Sequence, residues 1–294
     1  MITCRLCGGL GNQLFQIFTS IAYAIQHDQP FFFVNNHQLG TGANGATIRY
    51  TYWDTWLSSL KPFLKQPKDI PKTMPPIYET SFFYRELPIP KKVGAVLVGY
   101  FQSPFYFQEY KDTITHLLRI PWHKESVQHK SGIDFSAHQQ TISMHFRFGD
   151  YTKYPEVYPL LGYEYYCNAL TYILNVEEQQ DKKEEEKKDI TVLYFCEDDS
   201  LPQVAPIVSR LRAKFVHIPF QRADPRQFCD WEQMLLMSLC NHNIIANSTF
   251  SWWGAYLNNR DNHVVCYPEQ WFAPSYAKAD ARDLTRIHNW VSVP

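Results

Sequence analysis

The sequence predicts an α/β protein built on parallel strands, and three stretches predict it. The chain opens with a strand, a glycine turn, a helix and a second strand, which is a βαβ unit. The β-favouring run Thr141–Phe146 stops at Arg147-Phe148-Gly149-Asp150, and a second apolar run, Ile190–Phe195, stops at Cys196-Glu197-Asp198-Asp199. In open α/β sheets ligands bind outside the carboxyl ends of the strands, so the polar residues at these ends are the first functional candidates.

The elements follow in order. Ile2 to Cys7 reads as the first strand and Gly8-Gly9-Leu10-Gly11-Asn12 as a tight turn. From Gln13 to His27, Leu14, Phe15, Phe18, Ile21, Ala22 and Ile25 recur at helical spacing, and Phe31 to Val34 gives the second strand. Asn36 to Arg49 reads as a surface loop, and the proline-dense span Lys61 to Pro90 as an extended, packed excursion. Val96 to Tyr100 is a strand, and Ser103-Pro104 caps a helix running to about Arg119. His123 to Gln140 lacks periodicity and is the expected linker, which places the domains at 1–138 and 139–294.

After the central strand, Tyr151 to Leu161 reads as a loop containing Glu156, and Tyr163 to about Asn175 as a helix. Glu177 to Asp189 alternates acidic and lysine clusters and reads as a solvated excursion with no chemistry. Phe215 to Ile218 and Asn243 to Ala246 read as strands around a helix from Asp230 to Asn241, and His263 to Cys266 as the last clear strand. His217, His242 and His263 are expected to be structural.

Composition narrows the function. The 28 Lys plus Arg nearly balance the 29 Asp plus Glu, which argues against a basic nucleic-acid surface. Aromatic residues make up 16% of the chain, a content suited to gripping flat sugar or base faces. No apolar run is long enough to span a bilayer and the N-terminus lacks the layout of a signal peptide, so a soluble, cytoplasmic protein is expected. The seven cysteines have no framework spacing and read as reduced core thiols; Cys4 and Cys7 lack a second pair for a metal. Asn247-Ser248-Thr249 matches a glycosylation sequon that nothing else supports.

Three turns carry the candidate chemistry. Arg147 offers a permanent planar cation suited to phosphate oxygens, and His145 a donor to sugar or phosphate. Asp150 lies within reach of the same crevice. The opening glycine turn, with Gly11, Asn12 and Gln13, brings backbone N–H groups to a helix N-terminus, where anions are favoured. It is no P-loop, because no Gly-Lys-Ser/Thr follows. It is a poor dinucleotide fingerprint, because Leu14 stands where the third glycine belongs and Asn35-Asn36 where the ribose acid belongs. The third turn, from Asn243 through Asn247, Ser248, Thr249 and Ser251, places hydroxyls ahead of a short helix and suits phosphate or ribose oxygens; Trp252 and Trp253 read as packing. The acidic cluster at the second strand end, Asp198 included, can reach a ribose or base or, ranked below that, bind a divalent metal, and Asp199 or Ser200 can cap the next helix.

Together Gly8–Gln16, His145-Phe146-Arg147-Phe148-Gly149-Asp150-Tyr151 and Asn243–Trp253 resemble the α-1,2-fucosyltransferases of glycosyltransferase family eleven, in particular the soluble bacterial and viral kind. Gly99–Ser103 and Leu235–Cys240 resemble further segments of that family, so the likeness runs in order along nearly the whole chain. It implies a GT-B-like fold of two Rossmann-like domains facing a cleft, the first on the acceptor side and the second binding the GDP-sugar. It also implies inverting transfer of L-fucose from GDP-β-L-fucose to a glycan hydroxyl, often the 2-hydroxyl of a terminal galactose, with neither metal nor cofactor. Arg147 and His145 would then bind the donor diphosphate or sugar, the Asn12 turn would face the pyrophosphate, and Ser248, Thr249 and Ser251 would hold phosphate or ribose oxygens.

Two departures stand out. Many family members carry a second arginine next to the first, where this chain has Phe148; Lys153, Arg222 and Arg226 are the alternatives for the missing charge. Gln233 stands where related sequences often carry an acid and is assigned no chemistry. Transfer requires a cation for the departing diphosphate, assigned to Arg147, and a base for the acceptor hydroxyl, for which Asp150 and Glu156 are the candidates. Asp150 serves equally well as a pin for Arg147. Two rivals remain. A nicotinamide oxidoreductase would explain the opening βαβ unit but lacks its fingerprint, and a non-catalytic sugar-binding protein would explain the aromatics but not an arginine at a strand end.

Overall fold

The computed structural model describes residues 1–40, 48–71, 73–133, 135, 139–184, 189–276, 279–287 and 290–294. The chain divides into two units, Met1–His123 with Ala281–Leu284, and Lys124–Asp280 with Thr285–Pro294. The boundary thus follows His123 rather than residue 138. The expected linker is helical as far as Ser131, and its residues 134 and 136–138 lie outside the described residues.

In the first unit, β1 (Ile2–Cys4) leads through the glycine turn into α1 (Leu10–Gln26). There follow β2 (Phe33–Val34), β3 (Gln38–Leu39), β4 (Arg49–Tyr50), β5 (Leu64–Lys65), β6 (Pro76–Tyr78) and β7 (Ala95–Val98). A three-stranded parallel sheet has the order β1-β7-β6. Residues 41–47, most of the expected surface loop, lie outside the described residues. The proline-dense span is largely extended as expected, yet it supplies β6. Pro76 begins that strand at the sheet edge, where a missing N–H is tolerated. Ser103 caps as expected, its hydroxyl accepting from the Phe105 N–H, but 3-10 turns follow and α2 spans only Lys111–Leu117. Phe107, with ψ near 0°, breaks the helical path. The next helix, α3 (Ile120–Ser131), crosses the junction between the units.

The second unit contains β8 (Gln139–His145), α4 (Tyr163–Glu184), β9 (Asp189–Phe195), α5 (Leu201–Lys214), β10 (Phe220–Arg222), α6 (Asp230–Met237), β11 (His242–Ile244), α7 (Thr249–Tyr256) and β12 (Val265–Pro268). A short helix, α8 (Arg282–Thr285), precedes the last strand, β13 (Trp290–Val293). The six strands pair in parallel in the order β10-β9-β8-β11-β12-β13. Numbered within this sheet, that order is 3-2-1-4-5-6, the doubly wound arrangement whose order reverses between its first and fourth strands. The reversal therefore falls between β8 and β11. The predicted α/β class holds.

Residues of β8 alternate between two uses. Ile142 and Met144, with Phe146 just past the strand end, join Tyr166, Leu170, Val192 and Val208 in one core. Thr141 and Ser143, facing the other way, bond to Asn241 and Asn243. Phe148, 6% exposed, continues the core beyond the strand end.

Two expectations fail here for identifiable reasons. Phe215–Ile218 is a turn rather than a strand: the Phe215 N–H still bonds to Leu211 O at the end of α5, and β10 starts only after Pro219. Helix α4 continues past Asn175 to Glu184, so the acidic segment is not simply a solvated excursion; residues 185–188 lie outside the described residues. Glu177 is 2% exposed, and its Oε1 lies 2.9 Å from Nε2 of His242. The Val264 N–H donates to Nδ1 of His242 at 3.0 Å, so Nε2 carries the proton and donates to Glu177. Glu177→Ala is expected to destabilise the protein by about 1–3 kcal/mol, because it strands a buried donor. Glu177→Gln, which keeps an acceptor, is expected to lose less; denaturant midpoints of the two variants decide.

Candidate active site

The register places four strand ends side by side. Met144 on β8 pairs with Ile244 on β11 and with Tyr194 on β9, which pairs with Arg222 on β10. Beyond this row the chain turns at His145–Asp150, at Cys196–Asp199, at Arg222–Asp224 and at Ile245–Ser248, so the side chains of all four turns gather at one sheet edge.

Arg147 sits at the centre of that edge. Its Nη1 donates to Glu197 Oε1 at 2.7 Å and its Nη2 to Asp150 Oδ1, while the guanidinium lies 5.1 Å from the Tyr151 ring centre. Its side chain is 16% exposed, and its Nε is buried without a partner. Burial opposes the charge, but neighbouring acidic groups, Glu197 first, raise the pKa above its ordinary value, so the cation persists. His145 is 6% exposed, packs 5.5 Å from the Phe250 ring, and leaves Nδ1 buried and unpartnered. Burial, reinforced by Arg147, pushes its pKa down to about 3, so at neutral pH it is an uncharged imidazole. It offers a hydrogen bond rather than a charge.

Across the reversal point, Asn247 is 1% exposed. Its Nδ2 donates to Pro159 O and Trp271 O, each at 3.1 Å, while Oδ1 is buried without a partner. Ser248 caps α7, accepting from the Phe250 N–H at 3.3 Å, and Thr249 opens that helix. Tyr151 donates to Asn247 O at 3.0 Å and so ties the two turns together. Buried polar atoms ordinarily find partners. Three that do not, on His145, Arg147 and Asn247, flank the point where the strand order reverses.

Other expected site residues are placed elsewhere. Asn243 is fully buried within β11, with Nδ2 donating to Ser143 Oγ and Met237 O and Oδ1 accepting from Asn258; it ties the core together and is not at the edge. Ser251 is likewise buried, its hydroxyl bonding back to Ala246 O and Ser248 O. In the first unit Gln13 is 1% exposed and braces the glycine turn by donating to Gly8 O and Tyr50 O. Gly11 is buried in the first turn of α1, and Asn12 Oδ1 accepts from Gln102. Gly8 has φ of +79°, and a Cβ there would meet Asn12 Nδ2 at 2.6 Å, so the turn needs that glycine.

The two proposed bases differ in setting. Asp150 is bound to Arg147. Glu156 is exposed in a turn whose end, Tyr158, stacks on Tyr151 at 4.1 Å between ring centres, so its loop folds back onto the Arg147 motif. Of the alternatives for the second cation, Lys153 is exposed, and Arg226 is exposed and paired with Asp224. Arg222 stands at the strand edge, bound to Asp198. Glu197, not singled out as Arg147's partner from the sequence, becomes so only through the pairing of β8 with β9. Among the described residues no group of three His, Cys, Asp or Glu side chains is placed to hold a metal ion, and no helix is long and apolar enough to cross a membrane.

Residues 217–293 match the profile described as Glycosyl transferase family 11. The chain is 26% identical over 309 aligned residues to the O-antigen biosynthesis glycosyltransferase WbnK of Escherichia coli, covering 93% of this chain and 95% of that one. It is 24% identical over 288 residues to an alpha-1,2-colitosyltransferase of Escherichia coli, covering 92% of each. Among solved structures, a glycosyl transferase family 9 protein from Veillonella parvula DSM 2008 aligns over 99% of this chain and 86% of that one, with a TM-score of 0.49 and 9% identity.

Proposed function

We propose that the chain is a glycosyltransferase of family 11 and that it moves L-fucose from GDP-β-L-fucose to a glycan hydroxyl with inversion and without a metal ion. The acceptor position we favour is the 2-hydroxyl of a terminal sugar such as galactose. The observation that carries this reading is Arg147 with its unpartnered neighbours His145 and Asn247 at the reversal point of a doubly wound sheet. The similarity to an alpha-1,2-colitosyltransferase supports a second reading, in which the transferred sugar is colitose.

The chemistry follows from the site. Breaking the anomeric C–O bond leaves an oxocarbenium-like sugar and adds negative charge to the diphosphate. Arg147 stabilises that charge at a fixed position, because Glu197 and Asp150 hold its guanidinium in place before the reaction starts. His145, neutral and buried, adds a hydrogen bond, and Ser248 and Thr249 present hydroxyls and the start of α7 to the nucleotide. Glu156, exposed on the loop that folds over Tyr151, accepts the acceptor's proton, and Asp150 keeps Arg147 in register.

Two experiments test this division of labour. An acceptor screen in EDTA, run in parallel with GDP-L-fucose and a colitosyl donor and reading linkage by NMR, is expected to give a 1,2-linked fucoside. Transfer from the colitosyl donor alone selects the second reading, and a strict metal requirement overturns the metal-free mechanism. Glu156→Gln is expected to lower kcat by about 10²–10⁴-fold while GDP binding is kept. Asp150→Asn is expected to weaken GDP binding. Unchanged turnover in a folded Glu156→Gln protein removes the base role from that residue.

A further inference from the structure

Arg222 is the polar group at the sheet edge that the mechanism above does not use. It ends β10, the third strand counted from the reversal point, and is in register with Tyr194 of β9 and Met144 of β8. Its Nη2 donates to Cys196 O at 3.2 Å and to Asp198 Oδ1 at 2.6 Å. Its Nε is buried without a partner, and its side chain is only 20% exposed. The carboxylate, the carbonyl and the Cys196 thiol fix the guanidinium against the end of β9, leaving Nε without a hydrogen-bond partner. An arginine fixed in this way, with a buried donor unused, is placed to meet a ligand as well as to tie two strands together.

The order of the strands says which part of a nucleotide it would meet. In this sheet type the phosphates sit at the reversal point, here β8 and β11, and the acid at the end of the second strand takes the ribose hydroxyls. The second strand is β9, which ends in Glu197 and Asp198. A nucleotide runs phosphate, ribose, base, so its base continues along the edge to the third strand, which is β10. Two strand spacings, about 10 Å, separate β8 from β10. We propose that Arg222 reads the base of the nucleotide donor and selects guanine, whose O6 and N7 present adjacent acceptors to a cationic donor where adenine presents an amino group. The inference rests on the nucleotide-sugar reading given above and goes beyond it by naming the residue that chooses the base.

Calorimetric titration of the full chain with GDP, IDP and ADP tests it, since all three share the diphosphate that Arg147 is assigned to hold. Wild-type protein is expected to bind GDP and IDP alike, because both carry O6 and N7, and ADP at least about tenfold more weakly. R222M is expected to bind GDP about 10- to 100-fold more weakly with ADP little changed, so that the preference disappears. R222K keeps a cation for Asp198 but lacks the planar set of donors; it is expected to lose most of the preference, and it decides the matter should R222M fail to fold. A folded variant that still prefers GDP over ADP as the wild type does overturns the role of Arg222 and leaves the donor assignment standing. Failure of the wild-type chain to bind GDP overturns both.

Discussion

Replacing Arg147 by alanine is expected to lower kcat by about 10²–10³-fold, the loss that follows removal of one preorganised contact to developing charge. The side chain is mostly buried between Glu197 and Asp150, so its removal leaves two carboxylates facing the place assigned to the diphosphate. Affinity for GDP should therefore fall along with turnover, because the missing cation is replaced by uncompensated negative charge. Arg147→Lys restores the charge but not the planar pairing to two carboxylates, and it should recover only part of the loss. Steady-state kinetics and GDP titration, with a melting curve to show that the variant is folded, make the measurement. Normal turnover in a folded Arg147→Ala protein removes the phosphate role.

Phe148→Arg, which restores the adjacent pair of arginines that the family resemblance implies, is expected to destabilise the protein and not to improve it. The Phe148 ring is 6% exposed and belongs to the core with Phe146, Tyr165 and Tyr166. Removing a packed aromatic typically costs about 3–5 kcal/mol, and placing a guanidinium there adds the cost of a buried charge with no partner prepared for it. For a chain of this size the melting temperature should fall by roughly 10 °C or more. A variant that melts like the wild type and turns over faster would show that position 148 can open toward the donor.

The parts of the architecture that could be read from the sequence were those with strong local signals. Helix α1 announces itself by apolar residues at helical spacing, and β8 by a β-favouring run ending in Arg147-Phe148-Gly149-Asp150. Other features depend on partners far away in the chain. Short strands such as β6 and β13 exist because a neighbouring strand supplies hydrogen bonds, and nothing within Pro76–Tyr78 or Trp290–Val293 says so. Phe215-Val216-His217-Ile218 has strand-like composition, yet the end of α5 keeps that segment in a turn, leaves Val216 69% exposed and delays β10 to Phe220.

The site divides in the same way. Arg147, His145, Asn247 and Ser248 could be proposed from residue type and position at strand ends. Asn243 and Ser251 could not be told from them by type alone; one lies inside a strand and the other bonds back to its own turn, so both are closed off from the edge. Glu197 and Arg222 gain their roles only from the pairing of β9 with β8 and β10. The same holds for Glu177, which its sequence places in a charged run and the fold places against His242.

A crystal structure of the full chain with GDP-L-fucose or GDP bound decides whether Arg147 receives the diphosphate. The diphosphate is expected within hydrogen-bond distance of the Arg147 guanidinium, with His145 on one side and the Asn247–Thr249 turn on the other. A nucleotide bound in full occupancy away from residue 147 would contradict it.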